Sequence, residues 1–328
     1  MDKIVLDHVS YTYNAGTPFE HKALDDVSVS IAEGKITGVI GHTGSGKSTM
    51  MMLLNGLAKP GSGRVYLDGY DIHSSPEDVY DAWLKLPEYG GDRPDRRLRG
   101  SALRNAKKAI RKEIADRKRR LCFRVGLVMQ YPEYQLFEET VAKDIAYGPS
   151  NMGLPEEEIR ERVREAIRFS GLDEGLLVKS PFDLSGGQKR RVAIAGVIAM
   201  RPDVLVLDEP AAGLDPRGRE QIFREIREYQ QTTGSTVIIV SHSMEDMAEY
   251  CSDMVVLSRG RVIRAGSCEE VFSDLSLLDS AGLDIPQITQ LTRLLRKGGL
   301  NVPENIYTVD RAVEVLCSLK DGNGGERR

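Results

Sequence analysis

Long apolar runs are missing from this chain of 328 residues. The longest, such as Val192 to Met200, fall far short of the ~20 residues a bilayer-spanning helix needs, so any membrane role is expected to come through a partner. Met1-Asp2-Lys3 opens no signal-peptide pattern. Cysteine is sparse: Cys122, Cys251, Cys268 and Cys317 are scattered, with no C-x-x-C pair, and read as reduced thiols of a cytosolic protein. Five dispersed histidines (His8, His21, His42, His73, His242) give no ligand spacing with those cysteines, so no zinc site is expected. No internal repeat is visible. Hydrophobic residues at 41% and charged residues at 29% exclude a collagenous, mucin-like or largely disordered chain. At roughly 150 residues per domain the length suggests about two domains, or one large domain with additions.

Charge is present but unevenly spread. Residues 92–120 hold thirteen Lys and Arg against four Asp and Glu, a balance of +9 that leaves −13 for the rest of a chain whose net charge is −4. One segment is basic and the body is acidic. Within it, Leu103, Ala106, Ile110, Ile114 and Leu121 fall near helical spacing, which predicts an amphipathic helix attached as an insertion over about 75–121. The breaker-rich Arg93-Pro-Asp-Arg-Arg precedes that helix. Two uses fit it: a solvated helix packed on the body, or a contact with anionic headgroups or an acidic surface.

Around the insertion, the pattern alternates. Lys3–Tyr13, Val27–Ile31 and Ile36–Ile40 read as strands, and Arg124–Met129 as another. Pro155 to Phe169 reads as a helix, started by proline and three glutamates and stopped by Gly171. Val204–Leu207 and Val237–Val240 are continuous apolar runs of strand length, each following a helical segment. Helices alternating with fully buried strands imply an α/β fold with a parallel sheet. Beyond Gly266, Gln287–Lys297 and Thr308–Leu319 read as two short helices, and Asp321–Arg328 as a disordered end.

Three motifs carry chemistry. Gly41, His42, Thr43, Gly44, Ser45, Gly46, Lys47, Ser48 and Thr49 complete a P-loop between a buried strand and a helix. Its glycines let successive backbone N–H groups face phosphate oxygens, and the helix adds its positive end. Lys47 reaches the terminal phosphates and Ser48 offers a ligand to Mg2+. Val204–Leu207 ends in Asp208 and Glu209: an acid at the carboxyl end of a parallel strand sits beside the phosphate loop, Asp208 for the Mg2+ shell and Glu209 to orient and polarise the attacking water. Leu184, Ser185, Gly186, Gly187 and Gln188 form a second candidate phosphate-binding surface at a helix start. Two such surfaces do not easily fold onto one nucleotide within one chain, so a second protomer is implied.

With these motifs, Gln130, Ala212-Gly-Leu-Asp215 and His242 complete an order that resembles the nucleotide-binding subunit of ATP-binding cassette (ABC) transporters over about residues 3–73 and 122–265. The resemblance implies a P-loop NTPase cassette: a parallel-sheet core, an N-terminal antiparallel β subdomain, and a helical signature subdomain over about 131–201. It implies a nucleotide-binding domain at 1–265 and a small helical extension at 266–328. ATP would lie between the P-loop of one subunit and the signature of its partner, with Gln130 sensing Mg2+ and Asp215 on the D-loop. His242 would contact the γ-phosphate. Tyr13 matches the aromatic that stacks on adenine, with Tyr11 the competing residue. His42 has no derivable side-chain role and is expected to point away from the phosphates; Ala211 stands where the family usually has Thr.

Gln130-Tyr-Pro-Glu-Tyr-Gln-Leu-Phe-Glu-Glu-Thr-Val141, Ser180–Gly196 and Ser241–Met247 narrow the likeness to the second-type ATPase of energy-coupling factor (ECF) transporters. That resemblance implies an ATPase driving uptake of a vitamin or transition-metal ion. Its partners would be a paralogous ATPase in a heterodimer, a transmembrane T subunit and a substrate-binding S subunit. It would sit peripherally on the cytoplasmic side of the cell membrane. The competing reading is a mechanical ABC-type ATPase acting on nucleic acid or ribosomes. Against it, the chain holds one cassette, and its insertion is too short for a long coiled coil. A P-loop kinase leaves Leu184–Gln188 and His242 unexplained. The stripes Ile288, Leu291, Leu295 and Val309, Val313, Leu316 of the extension are expected at the subunit interface.

Overall fold

The computed structural model describes residues 1–79 and 100–322. Strands β1 (Asp2–Tyr13) and β2 (His21–Ala32) make a hairpin. After β3 (Ile36–Ile40) and helix α1 (Lys47–Asn55) come β4 (Ser62–Leu67) and the short β5 (Tyr70–Asp71). The order β2-β1-β4-β5 is an antiparallel four-stranded sheet.

Helix α2 (Gly100–Arg124) is the predicted amphipathic helix. Its stripe faces the protein: Ile114 and Leu121 are buried, Leu103, Ala106 and Ile110 half-buried. The Arg117 guanidinium lies 4.6 Å from the Tyr70 ring centre, so part of the basic character is spent on packing against β5. The breaker-rich 93–97 lies outside the described residues.

The main sheet is built from β6 (Val125–Val128), β7 (Val204–Asp208), β8 (Thr236–Val240), β9 (Asp253–Ser258), β10 (Arg261–Ser267) and β3. Its order is β10-β9-β3-β8-β7-β6, parallel except for the antiparallel β9–β10 pair. Successive side chains of a strand point to opposite faces. Val204, Val206, Ile238 and Val240 therefore join α1 and the antiparallel sheet in one core. Leu205, Leu207, Val237 and Ile239 join the helical side in the other. Burial on both faces explains the uninterrupted apolar runs.

Between β6 and β7 lie α3 (Val141–Asn151), α4 (Glu156–Phe169) and α5 (Gly186–Ile198). Helix α6 (Pro216–Thr233) leads into β8, and α7 (Met244–Tyr250) into β9. The extension continues through α8 (Cys268–Ser273), α9 (Leu275–Ser280), α10 (Gln287–Lys297) and α11 (Val309–Gly322). Helix α11 thus enters the segment expected to be disordered, and residues 323–328 lie outside the described ones. Val302, Ile306 and Ala312 form a small core there, joined by Ile288, Leu295 and Leu316, while Leu291, Leu294, Val309 and Val313 stay exposed. The expected stripes are therefore split: Ile288, Leu295 and Leu316 pack inside the extension, and Leu291, Val309 and Val313 do not.

Among the described residues no helix is long and apolar enough to cross a membrane. Cys122 and Cys317 are exposed, Cys251 is buried, and Cys268 is largely enclosed, its thiol pushed up to about 12 by burial and then by the nearby Asp253 carboxylate.

Candidate functional site

The main-sheet strands β3, β7 and β8 end at the same edge, and each delivers part of the site. After β3 the chain turns through Gly41–Gly46 into α1. Gly46 has φ +103, and a Cβ there would stand 2.5 Å from the Ala23 carbonyl oxygen, so only glycine fits. Lys47 Nζ donates to the Gly41 and His42 carbonyls at 2.6 and 2.9 Å. Burial lowers the Lys47 pKa, and the Glu209 and Asp208 carboxylates oppose that shift. Ser45 Oγ is buried without a hydrogen-bond partner.

Asp208 closes β7, and Ser48 Oγ donates to its Oδ2 at 3.1 Å. Burial raises the Asp208 pKa; Ser48 and Lys47 pull it down and the Glu209 charge pushes it up. A hydroxyl and a carboxylate converging beside a phosphate loop are the oxygen donors a hard cation takes. Ser48 and Asp208 thus fit Mg2+, which, when bound, would neutralise charge on the terminal phosphates.

Glu209 follows with φ +51, its N–H bonded to the Val240 carbonyl at 2.9 Å. The backbone helps aim this side chain, in a conformation seldom held by non-glycine residues. His242, just beyond β8, donates from Nδ1 to Glu209 Oε1 at 2.8 Å; the Glu209 side chain is 14% exposed and the imidazole 80%. Helix α7, starting after Ser243, is held by Arg219, whose Nε lies 2.9 Å from both Asp246 oxygens.

Gln130 is exposed just past β6, whose Val128 pairs with Leu207, next to Asp208. Beside it the structure reveals a junction that spacing did not suggest. Arg190, on α5, is 3% exposed and binds Glu133 through two nitrogens at 3.1 and 2.9 Å. Its third nitrogen donates to the Ala212 carbonyl. One guanidinium therefore ties the turn after Gln130, the signature helix and the D-loop together. The only sequence signal was a glutamate inside one motif and an arginine two residues after another.

The signature lies elsewhere. Ser185 caps α5 in a capping box: its Oγ accepts the Gln188 N–H, and the Gln188 side chain accepts the Ser185 N–H at 3.0 Å. Gly186 and Gly187 are at the exposed helix start. Among the described residues no hydrogen bond or ion pair joins 184–188 to the phosphate loop. Asp215 caps α6, accepting the Gly218 N–H at 2.8 Å. The predicted site residues thus form two groups: Gly41–Thr49, Asp208, Glu209 and His242 in one, Ser185–Gln188 in the other.

Tyr13 OH lies 3.1 Å from Thr49 Oγ1, while Tyr11 packs edge-on against Tyr13 and into the core under α1. Nearness to the phosphate loop favours Tyr13 over Tyr11. The His42 ring does turn aside, toward Gly282 of the extension.

This constellation of a complete phosphate loop with Asp208, Glu209 and His242 at one sheet edge defines a P-loop ATPase. The model of the ABC transporter family matches residues 24–212. The energy-coupling factor transporter ATP-binding protein EcfA2 of Caldanaerobacter subterraneus subsp. tengcongensis is 46% identical over 319 residues, covering 97% of this chain and 98% of its own. EcfA2 of Clostridioides difficile (strain 630) is 46% identical over 323 residues, covering 98% and 99%. Among solved structures, cbiO1 from Clostridium perfringens, part of the ABC transporter complex cbiONQ, superposes with TM-score 0.64 at 34% identity over 89% of this chain and 99% of its own. The dimeric, post-hydrolysis ATP-binding cassette MJ0796 bound to ADP and Pi gives 0.60 at 26% identity, over 81% and 98%. The chain belongs to the ABC transporter ATPases and, among them, to the ATP-binding proteins of energy-coupling factor transporters.

Proposed function

We propose that this chain is the second-type ATPase of an energy-coupling factor importer, binding and hydrolysing ATP at a dimer interface to drive uptake of a vitamin or transition-metal ion. The observation that carries the site assignment is the pairing of Ser48 with Asp208 and of His242 with Glu209 at one sheet edge, while the signature stands apart with its capping box closed. Each chain then supplies half of two different nucleotide sites. Glu209 orients the attacking water, His242 holds Glu209 and faces the γ-phosphate, Lys47 and the loop N–H groups cradle the phosphates, and Tyr13 supports adenine. Ser48, Asp208 and Gln130 hold Mg2+. Ser185, Gly186, Gly187, Gln188 and Asp215 serve the partner's nucleotide.

The paralogous ATPase completes the pair, and the T subunit, with its S subunit, carries the cargo. Exposed Tyr131, Tyr134, Phe137 and Tyr147 form an aromatic surface around the turn after Gln130; Phe137 and Tyr147 meet edge-to-face at 4.9 Å. Such a patch is suited to a protein partner. It sits beside the Arg190 junction, so a push there reaches both the signature helix and the D-loop. The chain is accordingly peripheral, held at the cytoplasmic face by these partners. A mechanical ATPase acting on nucleic acid is not favoured: the relatives are transporter subunits, and the basic helix packs its stripe inward.

Coexpression with the two ATPase and membrane components, followed by detergent extraction, tests the reading. The chain is expected to co-purify with integral membrane proteins, and Tyr134→Glu with Phe137→Glu to release it while ATP binding persists. Recovery of the unmodified chain free of membrane protein would overturn the assignment.

A further inference from the structure

His42 stands in the phosphate loop, and its exposed ring meets Gly282 of the extension. A Cβ placed on Gly282 would stand 2.5 Å from His42 Nε2 and 3.1 Å from Cε1. Gly282 has φ +61, and its N–H donates to the Asp279 carbonyl at 2.8 Å, so the turn is tight as well as close. The turn is also firmly seated. Leu278 before it is fully buried in the core on the helical side of the main sheet, and Leu283 and Ile285 after it pack against the same core. Five residues on, the Gln287 N–H donates to Glu245 Oε1 at 3.3 Å. Glu245 lies in the first turn of α7, directly after His242 and Ser243. The segment 279–287 therefore touches the phosphate loop on one side and the helix behind His242 on the other.

We infer that His42 and Gly282 are a positioning pair for ATP binding: the imidazole braces the phosphate loop against the extension and holds the loop in the shape that accepts phosphates. The loop is open to solvent at its tip, next to His42. Thr43 and Gly44 are exposed, and Gly44 has open space around it. Between His42 and α1 the loop is pinned by the Ser45 N–H to the His42 carbonyl at 3.0 Å, and by the Gly260 N–H to the Ser45 carbonyl at 3.1 Å. Displacing the ring would move the His42 carbonyl that Lys47 Nζ binds, and with it the lysine. A preorganised loop binds without first being ordered, which is where the affinity would come from. The inference rests on the phosphate loop being the nucleotide site; Lys47→Ala tests that separately, since it should abolish ATP binding whether or not the brace exists.

The test is a double-mutant cycle on the full-length chain, with ATP and magnesium chloride titrated calorimetrically and thermal unfolding recorded without nucleotide. His42→Ala should weaken ATP binding about threefold through lost preorganisation and leave nucleotide-free unfolding unchanged. Gly282→Ala should weaken it by about the same threefold, because the new methyl group pushes the exposed ring aside and removes the brace. Made on top of His42→Ala, the same Gly282→Ala change should have no further effect on affinity, because the ring it strikes is gone. Gly282→Asn carries the same Cβ but tolerates a positive φ, so it separates collision from backbone strain and stands in if Gly282→Ala does not fold. Equal losses from Gly282→Asn with and without His42→Ala, or unchanged affinity in His42→Ala, would overturn the inference.

Discussion

Two helices of this molecule start at the proposed phosphate surfaces, and they are finished differently. Helix α1 begins at Gly46 with no side-chain cap, whereas α5 begins at Ser185 inside a closed capping box. Neither has an acid in its first turn, while α4 has Glu156, Glu157 and Glu158 there. A carboxylate at a helix start satisfies the positive end from within; both candidate phosphate surfaces leave that end for an outside anion. The contrast in capping shows how the work is divided. At α1 the uncapped N–H groups are left open for the proposed site, and stability comes from neighbouring contacts. At α5 the protein closes the helix itself, leaving an ordered surface that is complete before a partner arrives.

The largest expected effect comes from cutting the anchor of the α5 end. Arg190→Ala removes the buried member of the pair and leaves the half-buried Glu133 and the Ala212 carbonyl without it, and breaking a buried pair costs about 3–5 kcal/mol. Urea unfolding measures it; a loss below about 1 kcal/mol, the range of exposed pairs, would show the junction idle. Next is the chemistry at the α1 end. Glu209→Gln keeps shape and removes charge, so turnover at this site in the assembled pair should fall at least ~10²-fold, the scale of a general base, with ATP binding retained. Near-normal turnover there would remove Glu209 from that role.

Ser185→Ala sharpens the division. It should cost about 1 kcal/mol as a lost cap, leave ATP binding by this chain alone unchanged, and slow hydrolysis only at the partner's phosphate loop. Slower hydrolysis at this chain's own loop would contradict the two-halves arrangement. The smallest effect concerns Asp208, whose raised pKa means that its ionised form is penalised in the fold. That penalty is present at neutral pH and removed as pH falls through the raised value. Nucleotide-free Asp208→Asn should therefore unfold a few degrees above the wild type at pH 7. The gap should close on acidification and vanish below the ordinary carboxylate range. A gap independent of pH would remove ionisation as its cause.

What could be read in the sequence was contiguous. Gly41–Thr49 is one loop and one helix start, so its chemistry is spelled in order. Val204–Asp208 and Thr236–Val240 are buried on both faces, and unbroken apolar runs report that directly. Tyr13 against Tyr11 stayed open, because both lie at the end of β1 and only the bond to Thr49 separates them. Arg190 was invisible as a junction: Glu133 lies 57 positions away and Ala212 22, and no period links such distances. The apolar stripes of the extension were found but wholly assigned to a partner, because a helix pattern shows which face is apolar and not what covers it. His42 had no legible role, since its contact residue belongs to a segment on the far side of the whole cassette sequence.

The uneven exposure of the four thiols makes the chain its own measuring instrument. Burial disfavours the thiolates of Cys251 and Cys268, while Cys122 on α2 and Cys317 on α11 stand at the surface. A maleimide-linked spin label or dye at neutral pH should therefore attach at these two surface positions without any cysteine being engineered in or out. One lies on the insertion and the other on the last helix of the extension. The distance between the labels would report, in unmodified sequence, whether the extension shifts against the cassette as nucleotide comes and goes.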